Sequence, residues 1–326
     1  MTDAAGGARL REGPAATVER LAQGDRRALA RAITAVENRT PAGEALVRAA
    51  YARGRGTPVV GITGASGAGK STLVDGLAAA YRAEDITIAV LAIDPSSPFT
   101  GGALLGDRVR MQRHTGDEGV YVRSMATRGA MGGLASAVYD TLVLLAAAGF
   151  DRLLVETVGV GQDELDVAGV ADTTCLVLTP EGGDEIQAIK AGLMEVADVF
   201  VLNKADLPGA DRAEAQLHAW VAGAGEGGWS PPIVRTVAAR GEGIVELVDA
   251  IAAHEARYRD SERGVGRRRA LARLRLHALL RDRLVAETRR RGFDQRREDE
   301  LVAAIAAGET DPHSAAQQVV DETLGR

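Results

Sequence analysis

The stretch Val59-Val60-Gly61-Ile62-Thr63-Gly64-Ala65-Ser66-Gly67-Ala68-Gly69-Lys70-Ser71-Thr72-Leu73-Val74 decides the fold. A run of buried-strand character, Val59 to Thr63, leads into a full G-x-x-x-x-G-K-[ST] match at Gly64 to Ser71. Leu73, Val74 and Leu77 then recur at helical spacing. Glycines let such a loop curl so that successive backbone N–H groups face inward, and the helix N-terminus that follows adds its positive dipole. The product is a cradle for phosphate oxygens, formed by Gly64 to Thr72. Within the pattern Lys70 is placed to bridge β- and γ-phosphates and the Ser71 hydroxyl to bind Mg2+.

Outward from this stretch the chain reads as three zones. Up to about Arg55 it is helical: Val18, Leu21, Leu29, Ile33 and Val36 keep roughly helical spacing, and Thr40-Pro41 is an N-cap followed by proline. From Val59 to about Tyr258, β-branched runs alternate with helical stretches. The strand candidates are Val59–Thr63, Thr87–Ile93, Val120–Val122, Leu153–Glu156, Thr173–Leu178, Val199–Leu202 and Ile233–Thr236. Such alternation predicts an α/β fold, a mostly parallel sheet with helices on both faces. The third zone has no strand candidate and starts a helix again at Asp311-Pro312. The expected organisation is a helical N-terminal extension (1–57), a P-loop NTPase domain (58–258) and a C-terminal helical arm (259–326).

Two further motifs complete the nucleotide site. A companion acid is expected at the end of a neighbouring strand, and Leu153-Leu154-Val155-Glu156-Thr157-Val158-Gly159 supplies Glu156, with Gly159 placed to meet the γ-phosphate. Asp94, in Asp94-Pro95-Ser96-Ser97, and Asp107, in Gly106-Asp107-Arg108, are candidate Mg2+ carboxylates, direct or through water. After the strand Val199–Leu202 comes Asn203-Lys204-Ala205-Asp206, an N-K-x-D match. Its aspartate accepts from guanine N1–H and the exocyclic amino group, neither of which adenine offers, so GTP is favoured over ATP. The usual last motif, S-A-K, is poorly kept: Ala238-Ala239-Arg240 stands in its place.

Composition narrows the class. The 326 residues carry a net charge of −6, with 46% hydrophobic and 26% charged residues, as in an ordinary globular protein. With 3% aromatic residues and an acidic balance, no nucleic-acid partner is expected. Ala135 to Phe150, the most apolar stretch, is too short for a bilayer and contains Asp140, so no membrane association is expected. One cysteine, Cys175, and no visible secretory leader point to the cytoplasm. Between Arg263 and Arg297 stand 13 arginines against Asp282, Glu287 and Asp294, which reads as a solvated helix face or an arm packed on a partner subunit. Only Lys70, Lys190 and Lys204 are lysines. Coding bias explains arginine elsewhere, but a guanidinium does not readily replace a compact ammonium between two phosphates.

Taken together these motifs resemble the MeaB/ArgK family of GTPases, which includes the chaperone of adenosylcobalamin-dependent methylmalonyl-CoA mutase. The resemblance rests on Gly64 to Thr72, Asp94-Pro95-Ser96-Ser97, Gly106-Asp107-Arg108 with Arg110-Met111, Glu156-Thr157-Val158-Gly159-Val160-Gly161-Gln162, Gly183-Asp184-Glu185-Ile186-Gln187 through Lys190, and Asn203 to Asp206. It implies a GTP hydrolase acting with GTP/GDP and Mg2+. Asp94, Asp107 and Glu156 would belong to the Mg2+ and γ-phosphate network, and Arg110 and Lys190 would be charge-neutralising candidates. Residues 182–190 would form a switch that relays nucleotide state to a B12-dependent acyl-CoA mutase. The C-terminal arm would make a homodimer. Methylmalonyl-CoA mutase is the expected client; isobutyryl-CoA or 2-hydroxyisobutyryl-CoA mutase is the alternative. Two remoter readings have less support. A metal-inserting GTPase needs Cys or His ligands near the cradle, and the histidines here are scattered. A transport-protein kinase needs a substrate motif, and none is visible. Slow intrinsic turnover is expected, since Gln162 follows Gly159 only after two intervening residues.

Overall fold

The computed structural model describes residues 13–54, 56–94, 112–114, 116–126, 133–157, 167–180, 191–223, 229–259 and 261–325. Seven parallel strands form one sheet: β1 (Val59–Gly64), β2 (Ile88–Asp94), β3 (Val120–Ala126), β4 (Arg152–Thr157), β5 (Thr173–Leu178), β6 (Val199–Asn203) and β7 (Ile233–Thr236). Their spatial order is β3-β2-β4-β1-β5-β6-β7. The chain moves from β1 to one side, returns to insert β4, and crosses to the other side through β5. The carboxyl ends of β4, β1 and β5 therefore meet where the winding reverses, the place where open α/β sheets bind ligands.

Strand side chains alternate between two faces, as the pleat requires. On one face Val60, Ile62, Val90, Leu154, Cys175, Val177 and Val201 pack with Leu73, Leu77, Leu247 and Ile251. The last four come from α4 (Lys70–Ala83) and from the helix Ile244–Tyr258. Burial pushes the Cys175 thiol well above its ordinary range, which leaves it a small core residue. On the opposite face Leu91, Ile93, Leu153 and Val155 join a larger cluster. Further along that face Phe200 is fully buried and meets Trp220 edge-on at 5.5 Å between centroids.

The apolar stretch noted above forms α5 (Gly133–Ala147), and its surroundings explain its composition. Val138, Leu142, Leu144 and Leu145 share one cluster with Leu153 and Val155 of the sheet and with Leu21, Leu29, Ile33 and Leu46. The latter group belongs to α1 (Pro14–Ala22), α2 (Arg26–Glu37) and α3 (Pro41–Ala50). A helix covered on both sides has no polar face to present. The three N-terminal helices thus form an outer layer over α5. Thr40 caps α3 by accepting from Gly43 N at 3.0 Å, and Asp25 caps α2 by accepting from Ala28 N at 2.8 Å. Strand β3 runs beyond the expected Val122 because Arg123, which interrupts the apolar pattern, donates to Glu37 Oε2 at 2.7 Å. The charged side chain is paired by α2 across the layer.

The chain divides into two compact units, residues 1–265 and 266–326. The second contains most of a long helix, Glu262–Arg290, followed by Gln295–Ala306 and Pro312–Leu324. Asp311 caps the last of these through His313 N and Ser314 N. Arg297 Nη2 donates to Glu322 Oε1 at 2.7 Å and Arg291 Nη1 to Thr323 O at 2.8 Å. Ala315 is the one buried hydrophobic residue described in this unit, while Leu274, Leu276, Leu280, Leu284 and Val285 are exposed. Among the described residues no helix is long and apolar enough to cross a membrane.

Ile33 is fully buried between the N-terminal helices and α5. Ile33→Ala is expected to destabilise the first unit by about 2–5 kcal/mol. Chemical denaturation followed by Trp220 and Trp229 fluorescence checks this. Unchanged unfolding of the sheet would show that the N-terminal layer is dispensable.

Candidate functional site

The loop after β1 is shaped by positive-φ glycines. Gly64 has φ 140° and Gly69 φ 88°. A Cβ on Gly64 would lie 2.2 Å from Val177 O, and one on Gly69 would lie 2.4 Å from Asn203 Nδ2. No side chain fits at either position, so the loop is free to turn closely between β5 and β6. Helix α4 opens directly on Lys70. Its first backbone N–H groups have no partner within the helix, and its dipole favours an anion at that end. The Lys70 side chain is buried and folds back over the loop, donating to Gly64 O and Ala65 O, each at 2.7 Å.

Glu156 reaches the same place from β4. Register pairs it with Ile62 of β1, and it is 3% exposed. Ser71 Oγ donates to Glu156 Oε1, so two of the four residues singled out as Mg2+ ligands stand in direct contact. Thr157 Oγ1 donates to Thr63 Oγ1 at 3.3 Å beneath them. A hydroxyl and a buried carboxylate at the mouth of a phosphate loop form the hard-oxygen donor set that suits Mg2+. Asp94 ends β2, which pairs with β4 through Ile93 and Thr157; only its backbone is described. Asp107, Arg110, Gly159, Gln162 and Lys190 lie outside the described residues, as does the expected switch at 182–190.

The base motif joins this site through one side chain. Asn203, 2% exposed, donates from Nδ2 to Ala68 O at 2.8 Å. Its Oδ1 accepts from Thr236 Oγ1 at 3.0 Å and from Ala238 N at 3.1 Å. The loops after β1, β6 and β7 are thereby tied together. Lys204 adopts φ 56°, an unusual conformation for a residue with a Cβ, which turns the chain sharply at the end of β6. Ala205 N donates to Thr236 O at 3.0 Å and Arg235 Nη2 to Ala205 O at 3.4 Å, holding the turned segment against β7. Asp206, at its end, accepts from Arg240 Nη2 at 2.5 Å.

Of the residues singled out from the sequence, the structure thus brings together Gly64 to Thr72, Glu156, Asn203, Lys204 and Asp206. It adds contacts that the sequence leaves silent. On α4, Asp75 pairs with Arg113 Nε at 2.6 Å and His114 Nε2 at 3.2 Å, anchoring the short turn Gln112–His114 against the helix that begins at Lys70. No spacing rule links residues so far apart. The Arg240–Asp206 contact has only a faint trace, a cation in the last position of the poorly kept S-A-K motif. Among the described residues no cluster of three His, Cys, Asp or Glu could hold a metal ion.

Comparison with known proteins adds independent findings. The sequence model of the family described as "Methylmalonyl Co-A mutase-associated GTPase MeaB" matches residues 29–292. A Pyrococcus abyssi protein named as a GTPase is 45% identical over 316 residues, 94% of this chain and 96% of its own. The Mus musculus protein named methylmalonic aciduria type A homolog, mitochondrial, is 38% identical over 248 residues, 70% of this chain and 60% of that one. Among solved structures, that of an LAO/AO transport system kinase matches with a TM-score of 0.68 at 27% identity, covering 94% of this chain and 96% of the other.

Lys70→Ala removes the loop's buried ammonium. The expected result is a loss of nucleotide affinity of roughly 100-fold or more, with the helical circular dichroism spectrum kept. Titration with a fluorescent guanine nucleotide measures the first quantity. Loss of the spectrum would mean that the lysine serves folding instead.

Proposed function

The chain belongs to the MeaB family of GTPases, and from that premise we propose that it is a chaperone whose GTP cycle gates adenosylcobalamin loading and protection of methylmalonyl-CoA mutase. The observation that carries this reading is the family match over residues 29–292, which takes in the whole sheet and both nucleotide loops. The site's geometry supports the enzymatic part. The Gly64–Thr72 loop and the N-terminus of α4 receive the phosphates. Lys70 exchanges its two loop carbonyls for β- and γ-phosphate oxygens. Asp206 reads N1–H and the amino group of guanine. Ser71 and Glu156, with Asp94 and Asp107, are the residues to hold Mg2+, which when bound supplies positive charge beside the phosphates. Gly159 meets the γ-phosphate, and Arg110 and Lys190 neutralise charge as it develops. The γ-phosphate then orders the loops around Asp94, Gly159 and residues 182–190, and hydrolysis releases them. Residues 182–190 are the switch that relays nucleotide state to the mutase.

We propose further that the C-terminal arm, 259–326, forms a homodimer. Its second unit leaves Leu274, Leu276, Leu280, Leu284 and Val285 exposed and buries almost no apolar side chain by itself, which supports a partner surface over it. Sedimentation equilibrium is expected to give twice the 34.0 kDa chain mass, and Leu280→Glu with Leu284→Glu to give the single-chain mass. A wild-type monomer would remove the dimer.

The client is tested by titrating the purified protein against methylmalonyl-, isobutyryl- and 2-hydroxyisobutyryl-CoA mutases with GDP or a non-hydrolysable GTP analogue. Methylmalonyl-CoA mutase is expected to bind with a nucleotide-dependent affinity and to take up cofactor at a nucleotide-dependent rate. Binding to one of the others alone would reassign the client. Binding to none would remove the chaperone role and leave the GTPase intact.

A further inference from the structure

The carboxylate read as the guanine acceptor has a charged partner in the last position of the poorly kept S-A-K motif. Arg240 Nη2 donates to Asp206 Oδ2 at 2.5 Å, and Arg240 Nη1 lies 3.6 Å from Glu242 Oε1. The guanidinium projects from a fixed turn. Val237 N donates to Glu242 O at 3.0 Å, Arg240 N to Val237 O at 2.8 Å, and Ala238 N to the buried Asn203 at 3.1 Å. Ala238, which stands where the motif has a serine, carries only a methyl group and donates nothing from its side chain. Among the described residues Arg240 is the recorded partner of the Asp206 carboxylate.

We propose that Arg240 is the positioning residue for base selection: it holds the Asp206 carboxylate in the orientation that guanine requires. This rests on the guanine reading given above. A carboxylate has two oxygens and about four lone-pair directions, so one guanidinium bond to Oδ2 leaves Oδ1 and a second direction on Oδ2 for the base. That leaves acceptor directions for guanine, while the guanidinium restricts rotation of the carboxylate. Arg240 and Asp206 are 57% and 33% exposed, so the pair contributes little to folding. Its effect belongs in the binding of the base.

Calorimetric titration of the full chain with GDP, IDP and ADP tests the proposal, because IDP lacks the exocyclic amino group and so reports on the bidentate contact. The wild type is expected to prefer GDP to both. In Arg240→Ala, and in Arg240→Met, which keeps the apolar stem, GDP affinity is expected to fall roughly tenfold and IDP affinity much less. The GDP-to-IDP ratio therefore shrinks while the thermal midpoint stays put. A ratio equal to that of the wild type in both variants overturns the role of Arg240 and leaves guanine recognition standing. Tighter GDP binding overturns it as well, by making Arg240 a competitor of the base. A wild type that binds ADP as tightly as GDP overturns the guanine reading itself, and the role of Arg240 with it.

Discussion

The hydrogen bonds of one buried amide hold the site together. Asn203 sits at the end of β6, donates to Ala68 in the phosphate loop, and accepts from Thr236 and Ala238 after β7. A buried polar group left unpaired costs about 1–3 kcal/mol, so the amide holds all three loops or destabilises the fold. Gly69 is bound by the same constraint from the other side, since a Cβ there would fall on the amide nitrogen. One side chain therefore links the loop after β1 to the segment that carries Asp206.

Beneath that site, the sheet's role is to bring the ends of β1, β4 and β6 to one edge with fixed spacing. This requires apolar cover on both faces. One face is covered by α4 and the helix Ile244–Tyr258 in the ordinary way. The other is covered by α5, which is itself too apolar to face water and is covered in turn by α1 to α3. The N-terminal helices share one cluster with the sheet. Arg123 shows how closely the layers are coupled: its Nη2, in β3, bonds Glu37 and Thr34 of α2.

Much of this was legible beforehand, and the reason differs by element. The seven strands stand out because each is a short β-branched run bounded by polar or glycine-containing segments, and all seven occur in the sheet. Thr40-Pro41 and Asp311-Pro312 announce helix starts because a cap is a local interaction, complete within four residues. The true length of β3 was hidden, because Arg123 breaks a pattern that only its neighbour α2 repairs. The Asp75 pairs with Arg113 and His114 were hidden for the same reason: their partners are distant in sequence and follow no periodicity.

The sequence by itself determined the chemistry on offer. Gly64 to Thr72, Glu156, and Asn203 to Asp206 are motifs whose residue types suit phosphate, magnesium and guanine, and two of the chain's three lysines fall within them. What only the tertiary structure decided is which groups meet. Ser71 touches Glu156 because parallel register sets β4 beside β1, and Asn203 reaches Ala68 because β5 alone separates β6 from β1. Arg240 faces Asp206 because one amide pins both of their loops. Side-chain hydrogen bonds act over about 3 Å, and distances of that size between remote segments exist only once the chain has folded.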